Sequence, residues 1–367
     1  MAVPSTQSAL LESKTMSHHE VDFNYFSQED LLDSGCFDMQ LIMDVVEQTL
    51  LAFEKGSIMF PEKIVQIFDP RTQERINCLP ATMLDEKICG MKWVSVFPEN
   101  PRKYNLQNLS AIFVLSEIEH GFPVAGMDGT LASNMRVGAV GAVAAKYLAK
   151  KDAQTIGFIG AGEQAKMHLL AMKVARPSLK ICRVSALSKA EEHEFITQLL
   201  PVLPDMQFIP TNGNAKSAME DADILVTATS AQAPLLKADW VKPGAFYSHV
   251  GGWEDEYAVV TQSDKIVCDD WKTVMHRTQT LSRMYNEGLL SSHDLHADLH
   301  ELVAGDKPGR ESEQERIYFN AVGLSYLDVA IALTMYRKAK DARVGKSLAL
   351  QHEMIFEHPD IAKKIRF

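Results

Sequence analysis

The sequence has no uninterrupted apolar stretch approaching the roughly 18–20 residues that a helix needs to cross a bilayer, so no transmembrane span is expected. It has no surplus of positive charge either: 37 Lys and Arg stand against 48 Asp and Glu, a formal net charge of -11. Non-specific nucleic-acid binding and docking on an acidic membrane both need clustered cations, so a small-molecule ligand is expected instead. Cysteine is sparse. Cys36, Cys78, Cys89, Cys182 and Cys268 form no CxxC pair and are odd in number, which fits reduced thiols in the cytoplasm rather than a disulfide framework. Residues 1–20 lack the basic start and apolar block of a signal peptide and read as a mobile tail. Internal repeats, low-complexity tracts and long charge runs are also missing. The remaining composition, 46% hydrophobic and 23% charged over 367 residues, is that of a globular protein of about two domains.

The segment Thr155-Ile156-Gly157-Phe158-Ile159-Gly160-Ala161-Gly162-Glu163-Gln164-Ala165 reads as a buried strand that passes through a glycine turn into a helix. This is the entry to a dinucleotide-binding unit. Gly160 permits the tight turn, Gly162 lets the backbone approach a pyrophosphate, and Ala165 replaces the third glycine at the helix–strand contact. Free N–H groups at the helix start then point at phosphate. A helical pattern follows over Glu163–Ala175, and strand-like segments recur at Lys180–Val184, Asp223–Ala228, Ala245–Gly251 and Lys265–Asp269. That alternation predicts a doubly wound parallel sheet.

Upstream, helical spacing covers Gln40–Lys55. Strand-like segments at Lys63–Phe68, Arg75–Leu79, Cys89–Phe97 and Ala111–Glu117 are separated by Pro, Asp and Asn turn signals and predict a mostly antiparallel sheet. Ser133–Lys150, rich in Ala and Val, predicts a helix bridging two domains. After the loop Gly305–Asn320, Leu324–Ala339 is helical and is expected to return to the first domain.

Several residues suit chemistry. The acid expected about twenty positions past the glycines, which would hold the ribose of NAD, is missing. In its place stands Ser185-Ala186-Leu187-Ser188-Lys189, which leaves room for a 2′-phosphate, so NAD and NADP both stand. Lys189 reads equally well as a solvated residue at a helix start. Thr227-Ala228-Thr229-Ser230 ends a predicted parallel strand, where hydroxyls suit a cofactor edge or simply a strand running into a turn. Lys63, Lys92 and Arg136 each sit among uncharged neighbours. A charge there is costly unless paired, so a substrate carboxylate or cofactor phosphate would explain all three; an ion pair or a snorkelling stem would explain any one. His293, His296 and His300 could share a helix face, but an exposed polar face accounts for that spacing and no metal site is expected. Asp269 and Asp270, ending a strand before Trp271, could be catalytic, but the pair reads rather as a loop or helix-cap acid.

Leu79-Pro80-Ala81, Gly90-Met91-Lys92-Trp93, Asn100-Pro101, Met127-Asp128-Gly129-Thr130, Met135-Arg136, Ala144-Ala145-Lys146-Tyr147-Leu148-Ala149 and Ile159-Gly160-Ala161-Gly162-Glu163-Gln164-Ala165 stand in order along the chain. Together they resemble the ornithine cyclodeaminase/mu-crystallin family from about residue 22 to residue 350. Lys265–Trp271, Leu295–Leu299, Gly305–Glu311 and Asn320-Ala321-Val322-Gly323 leading to Asp328 resemble its N-(2-amino-2-carboxyethyl)-L-glutamate dehydrogenase branch, which forms 2,3-diaminopropionate for siderophore or antibiotic assembly.

The resemblance implies an α/β fold, a Rossmann-type doubly wound parallel sheet inserted into an α+β domain. The expected units are a tail at 1–21, a substrate-binding and dimerisation domain from 22–132 plus 322–367, and a cofactor domain at 133–321. A homodimer is implied. By matching positions, Lys63, Lys92 and Arg136 become carboxylate or phosphate binders around the nicotinamide, with Lys92 the central substrate lysine. Gly160, Gly162, Glu163, Gln164, Thr227 and Thr229 fall on the cofactor side, with Gly251 at the next strand end. Where cyclodeaminases carry an aspartate just after this turn, Gly251-Gly252 is followed by Trp253, and Glu254 is the nearest acid. The family serine before the late glycine is replaced by Ala321. The implied activity is NAD(P)-dependent oxidation of a C–N bond in an amino acid or its conjugate, with Glu254 as a candidate base or else a plain surface acid. Ornithine cyclodeamination, alanine-type dehydrogenation and non-catalytic NADPH-dependent binding are the rivals.

Overall fold

A strict period of two builds the first sheet. In the strand Glu74–Met83 the buried positions are Asn77, Leu79, Ala81 and Met83, and in Ile88–Val96 they are Ile88, Gly90, Lys92 and Val94. The computed structural model describes residues 21–69, 71–351, 360 and 363–366, so all but the last residue of the tail read at 1–21 lies outside it. The sheet runs in the order Lys346–Gln351, Val21–Phe26, Pro123–Asp128, Leu109–Glu117, Ile88–Val96, Glu74–Met83, Ile58–Met59, with Ile64–Asp69 also paired to Glu74–Met83. All these pairings are antiparallel except that between Val21–Phe26 and Pro123–Asp128. The helices Met39–Glu54 and Ser325–Ala342 pack together, and the latter lies on the strands Glu74–Met83 and Ile88–Val96, so the late helix does return to the first sheet.

The second sheet is parallel throughout, in the order Gln207–Pro210, Ile181–Ser185, Thr155–Ile159, Ile224–Thr227, Phe246–His249, Ile317–Asn320, Lys265–Cys268, Ala297–Asp298. Thr155–Ile159 is where the chain order reverses, and in such sheets the crevice at that switch point binds the ligand. This is the Rossmann-type fold expected from the sequence.

Between the sheets runs the helix Thr130–Leu148, most of whose residues are buried and small. Its smallness has a cause in the crossing with the glycine-turn helix Glu163–Ala175. A Cβ at Gly138 would lie 2.6 Å from the Met167 carbonyl oxygen, and one at Gly141 would lie 3.0 Å from the His168 ring. The two helices meet backbone to backbone.

Three expectations are corrected. The strand read at Arg75–Leu79 continues through Pro80 to Met83; opposite Pro80 the flanking ladder is interrupted, between the partners Ile64↔Cys78 and Met59↔Thr82. The loop Gly305–Asn320 contains the strand Ile317–Asn320, in the interior of the second sheet. His293, His296 and His300 share no helix: they fall on a short 3-10 turn, its flank and the helix Leu299–Ala304. Among the described residues no helix is long and apolar enough to cross a membrane. The five cysteines are all free.

Gly138→Val should therefore force the two helices apart and lower stability by about 1–3 kcal/mol in urea unfolding; an unchanged midpoint would show that the close crossing is not needed.

Candidate active site

Because Lys92 falls on the inward face of its strand, its ammonium is buried where an apolar side chain would otherwise sit. It is satisfied from the C-terminal helix: Nζ donates to Asp328 Oδ1 at 2.8 Å. Arg136, from the bridging helix, donates through Nε to the same oxygen at 3.1 Å. Asp328 is fully buried, and its other oxygen, Oδ2, has no partner. Burial pushes the Lys92 amine down to about 8, against the pull of Asp328, and the nearby Arg136 lowers it further. Arg136 also lies against the late glycine; a Cβ at Gly323 would be 2.7 Å from its Nη1.

Lys63 joins this cluster from the start of the edge strand. Burial, then the positive charges of Arg277, Lys92 and Arg136, push its amine down to about 7. Asp269, at the end of Lys265–Cys268, accepts the main-chain N–H groups of Val322 and Gly323 at 2.9 and 2.8 Å, and burial pushes it up to about 6. The three isolated cations of the sequence therefore converge. Asp270 does cap the helix Trp271–Val274, but Asp269 is a buried anchor rather than a loop or cap acid.

The glycine turn has the form a dinucleotide requires. Gly160 adopts φ +104, and a Cβ there would lie 2.5 Å from the Ala228 carbonyl oxygen. Gly162 starts the helix Glu163–Ala175 with no side-chain cap, and a Cβ on it would meet nothing within 4 Å. Uncapped N–H groups beside open space fit a pyrophosphate. Ala165 is fully buried at the helix contact. Gln164 donates to Asn134 Oδ1 at 2.8 Å while its own Oε1 stays unpartnered, which ties the turn to the helix bearing Arg136. Glu163 pairs with Lys166. The Ser185 carbonyl accepts from Gly160 N–H at 2.8 Å, Ser188 caps the helix Lys189–Leu199, and Lys189 is exposed at its first turn.

Glu254 is neither a surface acid nor placed as a base. It is fully buried, and its carboxylate accepts from Thr227 Oγ1, Thr229 N, Thr229 Oγ1 and Gly251 N at 2.6–2.9 Å. With those donors on its two oxygens it clamps the loops after Ile224–Thr227 and Phe246–His249 together. Gly251 is required by the same clamp, since a Cβ would lie 2.4 Å from the Thr229 carbonyl oxygen. Thr227 is corrected too: its buried hydroxyl is used by Glu254 and by Tyr247, at 2.7 Å, not by a cofactor edge. Beneath, His249 Nε2 donates to the Gly252 carbonyl and Nδ1 accepts from the Tyr318 hydroxyl, both at 2.8 Å, because a carbonyl can only accept. Tyr318 and Thr280 reach Asp255, which burial pushes up to about 7.

Sequence reasoning missed Asp328 and Arg277 as site residues. Asp328 carried the same signal as the lysines, a lone charge in the apolar run Tyr326–Ala332. Arg277 carried none, lying in the polar stretch Met275–Gln279.

A switch-point crevice with an uncapped glycine turn, facing a buried cation cluster from a second sheet, defines a two-sheet dinucleotide-binding protein of Rossmann type. The chain belongs to the ornithine cyclodeaminase/mu-crystallin family, whose profile matches residues 33–343. It is 31% identical to N-((2S)-2-amino-2-carboxyethyl)-L-glutamate dehydrogenase of Staphylococcus aureus over 89% of this chain and 98% of that protein. The structure of Thermococcus litoralis Delta(1)-pyrroline-2-carboxylate reductase in complex with NADH and L-proline matches with a TM-score of 0.83 at 30% identity, covering 89% of this chain and 100% of that one. An archaeal alanine dehydrogenase dimer with bound NAD matches at 0.82 and 29%, covering 90% and 100%.

Glu254→Ala should leave its buried donors unsatisfied and destabilise the protein by at least about 3 kcal/mol in denaturant titration. A stable Glu254→Ala protein whose turnover alone is lost would instead restore Glu254 as the base.

Proposed function

We propose that the protein is an NAD(P)-dependent oxidoreductase acting on the C–N bond of an amino-acid conjugate, and that its substrate is N-(2-amino-2-carboxyethyl)-L-glutamate. The observation that carries this reading is the buried Lys92, held with Arg136 on one oxygen of Asp328. The relative of that name in Staphylococcus aureus supports the choice of substrate. The bound NADH and NAD of the two matching structures support the choice of cofactor.

Residues 133–321 form the cofactor unit in this reading, and 22–132 with 322–367 form the substrate unit. Gly160, Gly162, Glu163, Gln164 and Ala165 hold the pyrophosphate end of the cofactor, with Ser185, Ser188 and Lys189 at its ribose. Bound there, the nicotinamide supplies the hydride acceptor. Lys63 and Arg136 fix substrate carboxylates and set the pose. Oxidation needs the substrate amine unprotonated, and Lys92, with its amine near 8, takes that proton in place of Glu254. Asp328 keeps the lysine in position and opposes the loss of its proton. Water then hydrolyses the substrate imine, so that substrate, oxidised cofactor and water give 2-oxoglutarate, 2,3-diaminopropionate, reduced cofactor and a proton. Trp253, where cyclodeaminases carry aspartate, argues against ring closure.

A second copy of the chain is the expected partner. Ile64, Cys78, Trp93 and Ile112 are cross-strand neighbours in one row on the outer face of the first sheet. Ile64, Trp93 and Ile112 remain 60%, 38% and 39% exposed, an apolar stripe that a dimer would cover. The archaeal relative is a dimer. Free cysteines suit the reducing cytoplasm.

Incubation with N-(2-amino-2-carboxyethyl)-L-glutamate and NAD or NADP should reduce the cofactor and yield 2-oxoglutarate detectable by mass spectrometry; no product with either cofactor defeats the assignment. The turnover rate should rise with pH through an ionisation near 8 as Lys92 loses its proton. Asp328→Asn, which removes a charge that raises the lysine, should move that ionisation to lower pH by roughly 1–3 units; no shift would take the proton-accepting role from Lys92. In sedimentation the protein should run as a dimer and Ile112→Glu as a monomer, whereas a dimeric Ile112→Glu would place the interface elsewhere.

A further inference from the structure

We infer that Lys63 and Arg277 form a second anion subsite beside the Lys92–Arg136 pair, which selects substrates carrying an additional carboxylate over monocarboxylate amino acids. This rests on the oxidoreductase reading above and specifies its substrate class.

Packing brings both residues to the cleft. Phe60, three positions before Lys63, lies edge-on against Tyr326 with ring centroids 4.9 Å apart, and Tyr326 is two positions before Asp328. Lys63 is thereby held near the start of the helix that supplies the shared acid. Arg277 comes from the opposite side. Gln279, two positions later, donates to the carbonyls of Gly251 at 2.7 Å and Ala321 at 3.2 Å, which pins this segment over the carboxyl ends of Phe246–His249 and Ile317–Asn320. Ala321 leads directly to Gly323, against which the Arg136 guanidinium lies. The charges closest in effect on Lys63 are those of Arg277, Lys92, Arg136 and Asp269.

The pairing within this cluster is lopsided. Lys92 and Arg136 share Asp328. Among the described residues no carboxylate forms an ion pair with Lys63 or Arg277, and Arg277 Nε is buried without a hydrogen-bond partner. Asp269 is occupied by the N–H groups of Val322, Gly323 and Asp270. Glu62, the other acid that acts on Arg277, is exposed. Lys63, before the edge strand Ile64–Asp69, and Arg277, in the loop ahead of the helix Thr280–Asn286, are therefore half-buried without an ion-pair partner, with Asp269 acting on both without pairing to either, an arrangement that favours an incoming anion. One carboxylate answers the Lys92–Arg136 side. A second, at the far end of the substrate, answers Lys63 and the fork of Arg277.

The test uses the protein saturated with NADH, titrated calorimetrically with 2-oxoglutarate and with pyruvate, two 2-oxo acids that differ by a distal carboxylate arm. The wild type should bind 2-oxoglutarate about 30-fold or more tightly than pyruvate. Arg277→Met should reduce that preference to about threefold or less with pyruvate affinity unchanged, Arg277→Lys should keep part of it, and Lys92→Met should weaken both ligands. Should Arg277→Met fail to fold by circular dichroism, Arg277→Gln makes the same comparison. Equal affinities in the wild type, binding of neither ligand, an intact preference in the variant, or equal weakening of both ligands would overturn the subsite. Turnover of amino compounds is scored separately: turnover without a dicarboxylate preference removes the subsite alone, and the preference without any turnover removes the oxidoreductase reading alone.

Discussion

One oxygen atom organises the side of this protein built on the first sheet. Asp328 Oδ1 accepts from Lys92 and from Arg136, and all three residues are buried. Removing any one of them would strand charge in a place water does not reach, so the strand, the bridging helix and the C-terminal helix are bound to a common point. The arrangement also sets chemical character. Burial alone would strip the lysine of its proton, and the shared acid restores part of its basicity, which leaves an amine that changes state near neutral pH.

The parallel-sheet side is held by the opposite logic, a single acid satisfied by neutral donors. Glu254 joins two strand-end loops through hydroxyl and main-chain N–H groups, and the glycine at 251 exists because the loops approach too closely for any side chain. Removing that carboxylate would take the acceptor away from four donors at once, so it ties the two loops structurally. Its neighbour Asp255, reached by Thr280 and Tyr318 but with one oxygen unpartnered, is pushed up by burial to about 7.

Much of the fold was legible because its signals are local. The helix at Glu163–Ala175 and the parallel strands of the glycine-turn unit follow from apolar periodicity and turn residues, and the bridging helix shows in its run of Ala, Gly and Val. The convergence of Lys63, Lys92 and Arg136 was legible because a lone charge in an apolar context demands an explanation. Glu254 was misread because its role depends on contacts with residues 227, 229 and 251, and its acidic neighbours suggested a surface. Arg277 was invisible because a polar stretch conceals a charge that only tertiary packing sets apart. The strand Ile317–Asn320 was lost because its brief apolar run Ile317-Tyr318-Phe319 follows directly on the long polar stretch 305–316 and reads as the end of that loop.

That short strand has a consequence for how the chain comes together. It is the last of the parallel sheet in sequence, yet it lies between Phe246–His249 and Lys265–Cys268. During synthesis those two strands emerge first and have nothing to pair with across the gap, so the sheet cannot close until its final strand leaves the ribosome. The exposed edges on either side of that gap are then the part of the nascent chain most open to mispairing, and a chaperone or rapid completion of the chain would protect them.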